Sequence, residues 1–311
     1  NGTTYNAFLV RGERTALIDT SHAKFRDTWI PLLKEQIEPT AIDVLIVSHT
    51  EPDHSGLIGD LIDLNPDIEI VGSKVALQFL QDQVHRPFKS RAVKSGEELD
   101  LGTNPESGIQ HRFEFLSAPN LHWPDTIFSF DHGTGILYTC DAFGLHYCSD
   151  DVFDSDPGAI APDFRFYYDC LMGPNARSVL QALKRMGGLP EINTIAVGHG
   201  PLLRHHLSHW VNDYREWSGQ RSKGESYAAV CYLSQYGFSD RISQAIAHGI
   251  GKAEAQVQLV DLRATDPQEL TALIGDAKAV VVPTWPAEPD GELQASIGTL
   301  LERRGLKVTL Q

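Results

Sequence analysis

Cysteine, basic charge and long apolar runs are all scarce in this chain. Its four cysteines, Cys140, Cys148, Cys170 and Cys231, stand apart with no CxxC pair. That spacing argues against a disulfide framework and against a thiolate zinc site, and it points to a reducing, cytoplasmic compartment. Lys and Arg number 26 against 41 Asp and Glu, a formal charge of −15. Such a balance repels phosphate backbones and anionic membrane surfaces, so nucleic acid is not an expected partner. No stretch approaches the roughly 18 apolar residues that a membrane helix needs, so membrane insertion is not expected either. No signal peptide is visible, although a start at Asn1 rather than Met leaves the true beginning open.

What is present is an ordinary globular balance, 41% hydrophobic and 22% charged, over 311 residues, a length that suits two domains. Short apolar runs bounded by turns read as strands: "NAFLVRG", "RTALIDT", "IDVLIVSH", "IEIVGS", "RFEFLSAP", "TIFSFDHGTGILYTCDAF" and "TIAVGHG". The "DHGTG" inside the sixth run predicts a hairpin between Phe130 and Ile136. Apolar residues at three- and four-residue spacing predict helices in "FRDTWIPLLKEQI", "SKVALQFLQDQV" and "NARSVLQALKRM". The expected first domain, residues 1–217, is therefore a β-rich layered α/β unit. The polar, glycine-containing stretch 215–227 lacks periodicity and predicts a linker, placed at residues 218–225. Beyond it, strand, loop, helix, strand, helix and strand alternate as in a doubly wound parallel sheet. Residues 226–311 supply three convincing strands and a fourth candidate in "LKVTLQ", fewer than the roughly five of a complete sheet of that kind.

The stretch "SHTEPDH" concentrates His49, Glu51, Asp53 and His54 directly after an apolar strand. A loop leaving a sheet edge lets such side chains converge on a point. Downstream the same context returns three times: His122 in "NLHWPD", Asp141 in "LYTCDAFG" and His199 in "IAVGHGP" each follow an apolar run. Any one histidine at a strand end is commonly a satisfied polar residue. Seven ligand types in this order suit a binuclear metal site. Glu51 puts a hard, anionic oxygen where a neutral imidazole could stand, which moves preference from zinc toward iron. His146, His205, His206 and His209 lack the strand-end context and read as surface or supporting histidines, His146 being the best placed to support the cluster.

The order His-x-Glu-x-Asp-His, then His, Asp and His, resembles the metallo-β-lactamase fold, and the Glu resembles its flavodiiron branch. That resemblance implies an αββα sandwich with one iron on His49, Glu51 and His122, a second on Asp53, His54 and His199, and Asp141 bridging them. The stretches "VSHTEPDHSGLIGDL", "APNLHWPDTIFSFD", "YTCDAFGLHYCS" and "DFRFYYDCLMGPNARSVL" are similar to cyanobacterial and photosynthetic flavodiiron proteins. Those proteins carry a further flavin-reductase domain after the flavodoxin, and no counterpart to it is expected within these 311 residues. The second module then resembles a flavodoxin: Ser234, Gln235, Tyr236, Gly237, Phe238 and Ser239 would hold the phosphate of FMN at a helix N-terminus, where backbone donors and the helix dipole favour an anion. Pro283, Thr284 and Trp285 would approach the flavin ring.

The resemblance implies an oxidoreductase that passes electrons from an unidentified donor through FMN to two iron ions and reduces dioxygen, or nitric oxide, in a head-to-tail homodimer or a heterodimer with a homologue. Two other readings stay open on the residues alone. One is a zinc hydrolase of the glyoxalase II or β-lactamase type, which leaves the second module unexplained. The other is a metal-free structural subunit paired with a catalytic homologue.

Overall fold

The computed structural model describes residues 2–222 and, beyond them, 227–232, 238–252, 256–262, 265, 270, 273–275 and 277–282. Contacts divide the chain into two units, Asn1–Ser222 and Lys223–Gln311.

The first unit is built on two five-stranded sheets. One contains β1 (Phe8–Arg11), β2 (Thr15–Ile18), β3 (Val44–Ile46), β4 (Glu69–Gly72) and β5 (Lys89–Ala92), in that order. β1 and β2 form an antiparallel pair, and β2 to β5 run parallel. The other sheet has the order β10 (Thr194–Val197), β9 (Ile136–Cys140), β8 (Ile127–Asp131), β7 (Gln110–Ser117) and β6 (Glu98–Thr103), antiparallel except for the β9–β10 pair.

Strand periodicity explains the layering, since alternate residues of one strand face opposite sides. In β2 and β3, Ala16, Ile18, Val44 and Ile46 face the second sheet and pack with Leu99, Phe113, Phe115 and Tyr138. Leu17 and Leu45 face the other way, under Ile30 and Leu33 of α1 (Arg26–Gln36), Leu61 of α3 (Ile58–Leu64) and Leu77 and Leu80 of α4 (Lys74–Val84). On the far side of the second sheet, Leu116, Phe128, Phe130 and Leu137 pack with Phe164 of α5 (Pro157–Tyr167), Val179 and Leu183 of α6 (Ala176–Met186) and Trp210 and Tyr214 of α7 (Leu207–Ser222). The result is the αββα sandwich that the resemblance implied.

The expected hairpin forms, with Ser129 opposite Tyr138 and Asp131 opposite Ile136. Asp131 closes its turn by accepting from Gly133 N at 3.1 Å and Thr134 Oγ1 at 2.7 Å, while Gly135 takes the positive φ of 68° that a side chain would resist. The expected linker needs correction at its start. α7 runs to Ser222, so residues 218–222 are helical. Tertiary contacts override the weak periodicity there: the Ser218 hydroxyl meets Tyr168 Oη at 2.8 Å, and Arg221 donates to Asp169 at 2.6 Å. β5 and β6 were not read from the sequence. β5, "KSRA", is an exposed edge strand and carries no apolar alternation.

Among the described residues, the second unit has three parallel strands in the order β12 (Gln256–Asp261), β11 (Tyr227–Tyr232) and β13 (Ala279–Val281), with α8 (Phe238–Lys252) following β11. Phe238 and Ser239 open α8. Ser234 to Gly237, Pro283 to Trp285 and the candidate strand "LKVTLQ" lie outside the described residues.

Candidate metal centre

β3 ends at Ile46, and the chain leaves the sheet into α2 (Pro52–Ser55), a single helical turn. Pro52 opens the turn, where its missing N–H costs nothing and its fixed φ suits a helix. Both His54 N and Ser55 N donate to Glu51 O, at 3.0 and 2.9 Å, which gathers Glu51, Asp53 and His54 on one turn. Thr20, just past β2, ties the turn to the sheet: its N and its Oγ1 both donate to His54 O, at 2.7 and 2.6 Å.

The second sheet supplies three residues from three separate loops. His122 lies between β7 and β8, Asp141 directly follows β9, and His199 stands two residues beyond β10. Asp19, Asn120, Cys140 and Phe143, each within a few residues of a strand end here, hold positive φ values of 58°, 65°, 51° and 67°. Such backbone costs about 1–3 kcal/mol per residue and persists only where the surrounding structure holds it. Its concentration in these loops fits a site whose side chains must be aimed.

All seven flagged side chains converge. Asp141 lies at the middle and divides its two oxygens between two groups. Oδ2 is 3.3 Å from His49 Nε2 and 3.0 Å from His122 Nε2, and Glu51 Oε2 lies 2.7 Å from the same His122 nitrogen. Oδ1 is 2.9 Å from His54 Nε2 and 3.4 Å from His199 Nε2, and Asp53 Oδ2 lies 3.2 Å from that His199 nitrogen. Four imidazoles thus turn Nε2 inward. His49, His54, Asp141 and His199 are buried, whereas Glu51, Asp53 and His122 are partly open, Glu51 most of all at 31%.

The electrostatics of these side chains show what the cluster is suited to hold. Burial alone would raise the Asp141 carboxyl, but the nearby positive charges of His49 and His54 outweigh it and hold it well below the usual carboxylate range. Burial also opposes ionised Glu51, yet the bond from His122 and the nearby imidazole of His49 bring it to about 2. Burial would lower His122, and its bonds to Asp141 and Glu51 instead push it up to about 9. His49 is raised in the same way, by Asp141 above all, against its burial. Carboxylates held ionised against their burial, beside imidazoles raised by them, mark a cluster that favours positive charge. Several buried atoms, His49 Nδ1 and Nε2, Asp53 Oδ1 and His54 Nδ1, find no hydrogen-bond partner among the described residues. Two imidazole nitrogens, on His54 and His199, face each other at 3.1 Å, an arrangement that needs a shared proton or a cation. A pair of divalent metals fits this donor set: His49, Glu51, His122 and one Asp141 oxygen on one side, Asp53, His54, His199 and the other oxygen on the other.

Several supporting residues escaped the sequence reading. Asp19 Oδ1 accepts from Ser48 N at 2.7 Å and so fixes the residue before His49. Its signal was present, since "RTALIDT" ends an apolar strand on an acid as "LYTCD" does. His199 Nδ1 donates to Thr4 O at 2.6 Å, an acceptor that no side-chain pattern reveals. A Cβ on Gly198 would lie 2.7 Å from His54 Cε1 and 3.2 Å from Cys140 Sγ, so glycine is needed for close approach. His146 lies at the margin, its ring centroid 5.5 Å from that of His199. His205 and His206 use their backbone N–H groups to bind Asp154, and His209 pairs with Asp213 at 3.7 Å, all apart from the cluster. Among the described residues no helix is long and apolar enough to cross a membrane.

A family model described as ODP family beta lactamase matches residues 3–200. The sequence is 57% identical over 302 residues to putative diflavin flavoprotein A 3 of Nostoc sp., covering 97% of this chain and 52% of that protein. It is 54% identical over 301 residues to diflavin flavoprotein A 1 of Synechocystis sp., again covering 97% and 52%. The chain spans about half the length of these curated relatives. A metal-soaked Flv1 flavodiiron core from Synechocystis sp. superposes with a TM-score of 0.70 at 29% identity, over 96% of this chain and 74% of that one. Rubredoxin oxygen:oxidoreductase from Desulfovibrio gigas gives 0.65 at 25% identity, over 97% and 75%.

Proposed function

Since the chain belongs to the ODP beta-lactamase family and to the flavodiiron proteins, we propose that it is the diiron and flavin core of an oxidoreductase that reduces dioxygen to water. The observation that carries this reading is the division of Asp141, whose two oxygens serve two separate trios of ligand atoms, each with one other carboxylate. A zinc hydrolase would not explain Glu51 on the first trio or the flavodoxin-like second unit.

His49, Glu51 and His122 would hold one iron, Asp53, His54 and His199 the other, with Asp141 between them. When bound, a diferrous pair supplies electrons to a small gas molecule. The residues divide the remaining work by exposure. His49, His54 and Asp141 form a floor closed to water, while Glu51, Asp53 and His122 form the rim by which a gas enters. The Tyr167 hydroxyl is buried and has no partner among the described residues. Burial raises its pKa far above the usual tyrosine value, so it keeps its proton beside the second trio, ring centroids 6.4 Å from His199. The second unit would hold FMN through residues 234–239 and 283–285 and relay electrons. The supply would come from photosynthetic electron flow, and the flavin would serve its partner's metal site in a head-to-tail dimer of this chain or of this chain with a homologue.

The test is oxygen uptake by the full chain loaded anaerobically with Fe(II) and FMN and reduced photochemically. Consumption of dioxygen without accumulation of peroxide is expected. No consumption, together with hydrolysis of a thioester by the zinc-loaded chain, would contradict the reading.

A further inference from the structure

His49 is the most enclosed of the ligand-type residues. Its Nε2 faces Asp141 and Glu51 at 3.3 and 3.5 Å, so Nδ1 points away from the cluster into protein. That nitrogen is buried and meets no hydrogen-bond partner among the described residues. When Nε2 binds a metal, the ring proton must sit on Nδ1, and a buried N–H with nothing to receive it weakens the ligand.

Asp125 presents the opposite demand. Its side chain is 1% exposed, and Oδ1 is a buried acceptor without a donor among the described residues. Its other oxygen is fully used: Oδ2 accepts from both Thr50 N and Thr50 Oγ1 at 2.8 Å. The residue is held from the backbone as well. Ser73 Oγ donates to Asp125 O at 2.8 Å, and Ile127 N donates to Ser48 O at 2.8 Å, which joins this loop to the residue before His49. The carboxylate is therefore anchored on the neighbour of His49 with one oxygen left over, and the two charges act on each other in both directions.

We propose that Asp125 is a positioning residue for the first metal trio: its free Oδ1 receives the Nδ1–H of His49 across one water, and so fixes the ring with Nε2 presented to the metal. The inference rests on the metal-site reading given above. A buried carboxylate behind a ligating histidine sets both the tautomer and the basicity of the ring. Thr50 serves this arrangement by taking up one oxygen and leaving the other for His49.

Asp125→Asn separates this role from a merely structural one. The Thr50 N–H can only donate, so the Asn oxygen must stay on Thr50 and the amide NH2 must face His49, where it opposes an Nδ1–H and favours the wrong tautomer. A purely structural anchor on Thr50 would survive the exchange. The experiment is titration of the full, metal-free chain with Co(II), followed by visible absorption, in parent and D125N, beside thermal melting of the metal-free forms. The expected result is about two ions bound by the parent and a loss of about 10- to 100-fold in affinity for one of them in D125N, with melting unchanged. Equal affinities in the two proteins would overturn the inference alone. A parent that takes up no metal would overturn the site assignment and the inference with it. Should D125N not fold, long-range proton–nitrogen correlation on the zinc-loaded parent decides. His49 is expected to show a metal-bound Nε2 and a slowly exchanging Nδ1 proton, whereas coordination through Nδ1, or exchange at the solvent rate, would overturn the proposal.

Discussion

The two sheets furnish the cluster in opposite ways. The first delivers His49, Glu51, Asp53 and His54 from one loop and one helical turn after β3, held together by local bonds to Glu51 O and His54 O. The second delivers His122, Asp141 and His199 singly, from three loops that meet only because β7, β8, β9 and β10 lie side by side. Yet neither sheet completes a trio alone. Each set of ligand atoms takes two residues from the first loop, one histidine from the second sheet and one oxygen of Asp141. The local loop fixes which chemistry is available, and the sandwich fixes whether it can close around two metals.

Removing the residue that joins the two contributions should have the largest effect. Asp141→Ala takes the shared oxygen from both trios and leaves His49 and His54 without their main counter-charge. Loss of both metals is expected, together with about 3–5 kcal/mol of stability in the metal-free chain near pH 6, as when one partner of a buried ion pair is removed. Elemental analysis and chemical denaturation measure the two effects; retention of either metal at parental affinity would break the comparison.

Glu51→His changes the local loop alone. It replaces a hard oxygen by an imidazole and should shift metal selectivity from iron to zinc while abolishing oxygen consumption, with the fold intact. Unchanged iron content and turnover would show that Glu51 does not set the metal. A change confined to the second sheet's side is gentler. Gly198→Ala puts a methyl group against His54 Cε1 and Cys140 Sγ. Affinity for one metal, that of the His54 and His199 trio, should fall by about 10-fold, and the other should be spared, as a titration would reveal.

The smallest effect is one of pH, and it sharpens the contrast between empty and loaded clusters. His122 is raised from 6.5 to about 9, so its contribution to the metal-free fold is complete below pH 6.5 and is lost as pH rises through about 9. Glu51 is lowered from 4.5 to about 2, so its contribution is complete above pH 4.5 and is lost as pH falls through about 2. Melting of the metal-free chain should therefore peak between about pH 4.5 and 6.5 and decline toward pH 9. With metal in place of the imidazole protons, that alkaline decline should vanish. Parallel melts with chelator and with metal check it.

This division between the sheets also explains what was legible in the sequence. Ligand-type residues at strand ends stand out because an apolar run followed by His, Asp or Glu is a pattern in one dimension. The helices α1, α4 and α6 were legible from their spacing, and Ser73 caps α4 as its type suggests, accepting from Ala76 N at 3.0 Å. β5, made of "KSRA", was not, because an exposed edge strand needs no apolar face. The last turns of α7 were misread for the converse reason: Arg221, Ser218 and Trp217 are polar or isolated in sequence, and Phe164, Arg165, Tyr168 and Asp169, some fifty residues earlier, hold them helical. The supporting shell was least visible. Thr4 acts through a carbonyl, Gly198 through the lack of a side chain, and Asp125 through an oxygen whose use depends on what Thr50 does with the other.

The central claim is that this cluster is an iron site of two metals bridged by Asp141. The most direct measurement is iron and zinc per chain in the full chain purified anaerobically from iron-replete cells. About two irons per chain are expected, with little zinc, because Glu51, Asp53 and Asp141 give each trio hard oxygen donors beside its imidazoles. Zinc in both positions, or one metal ion per chain, would contradict it.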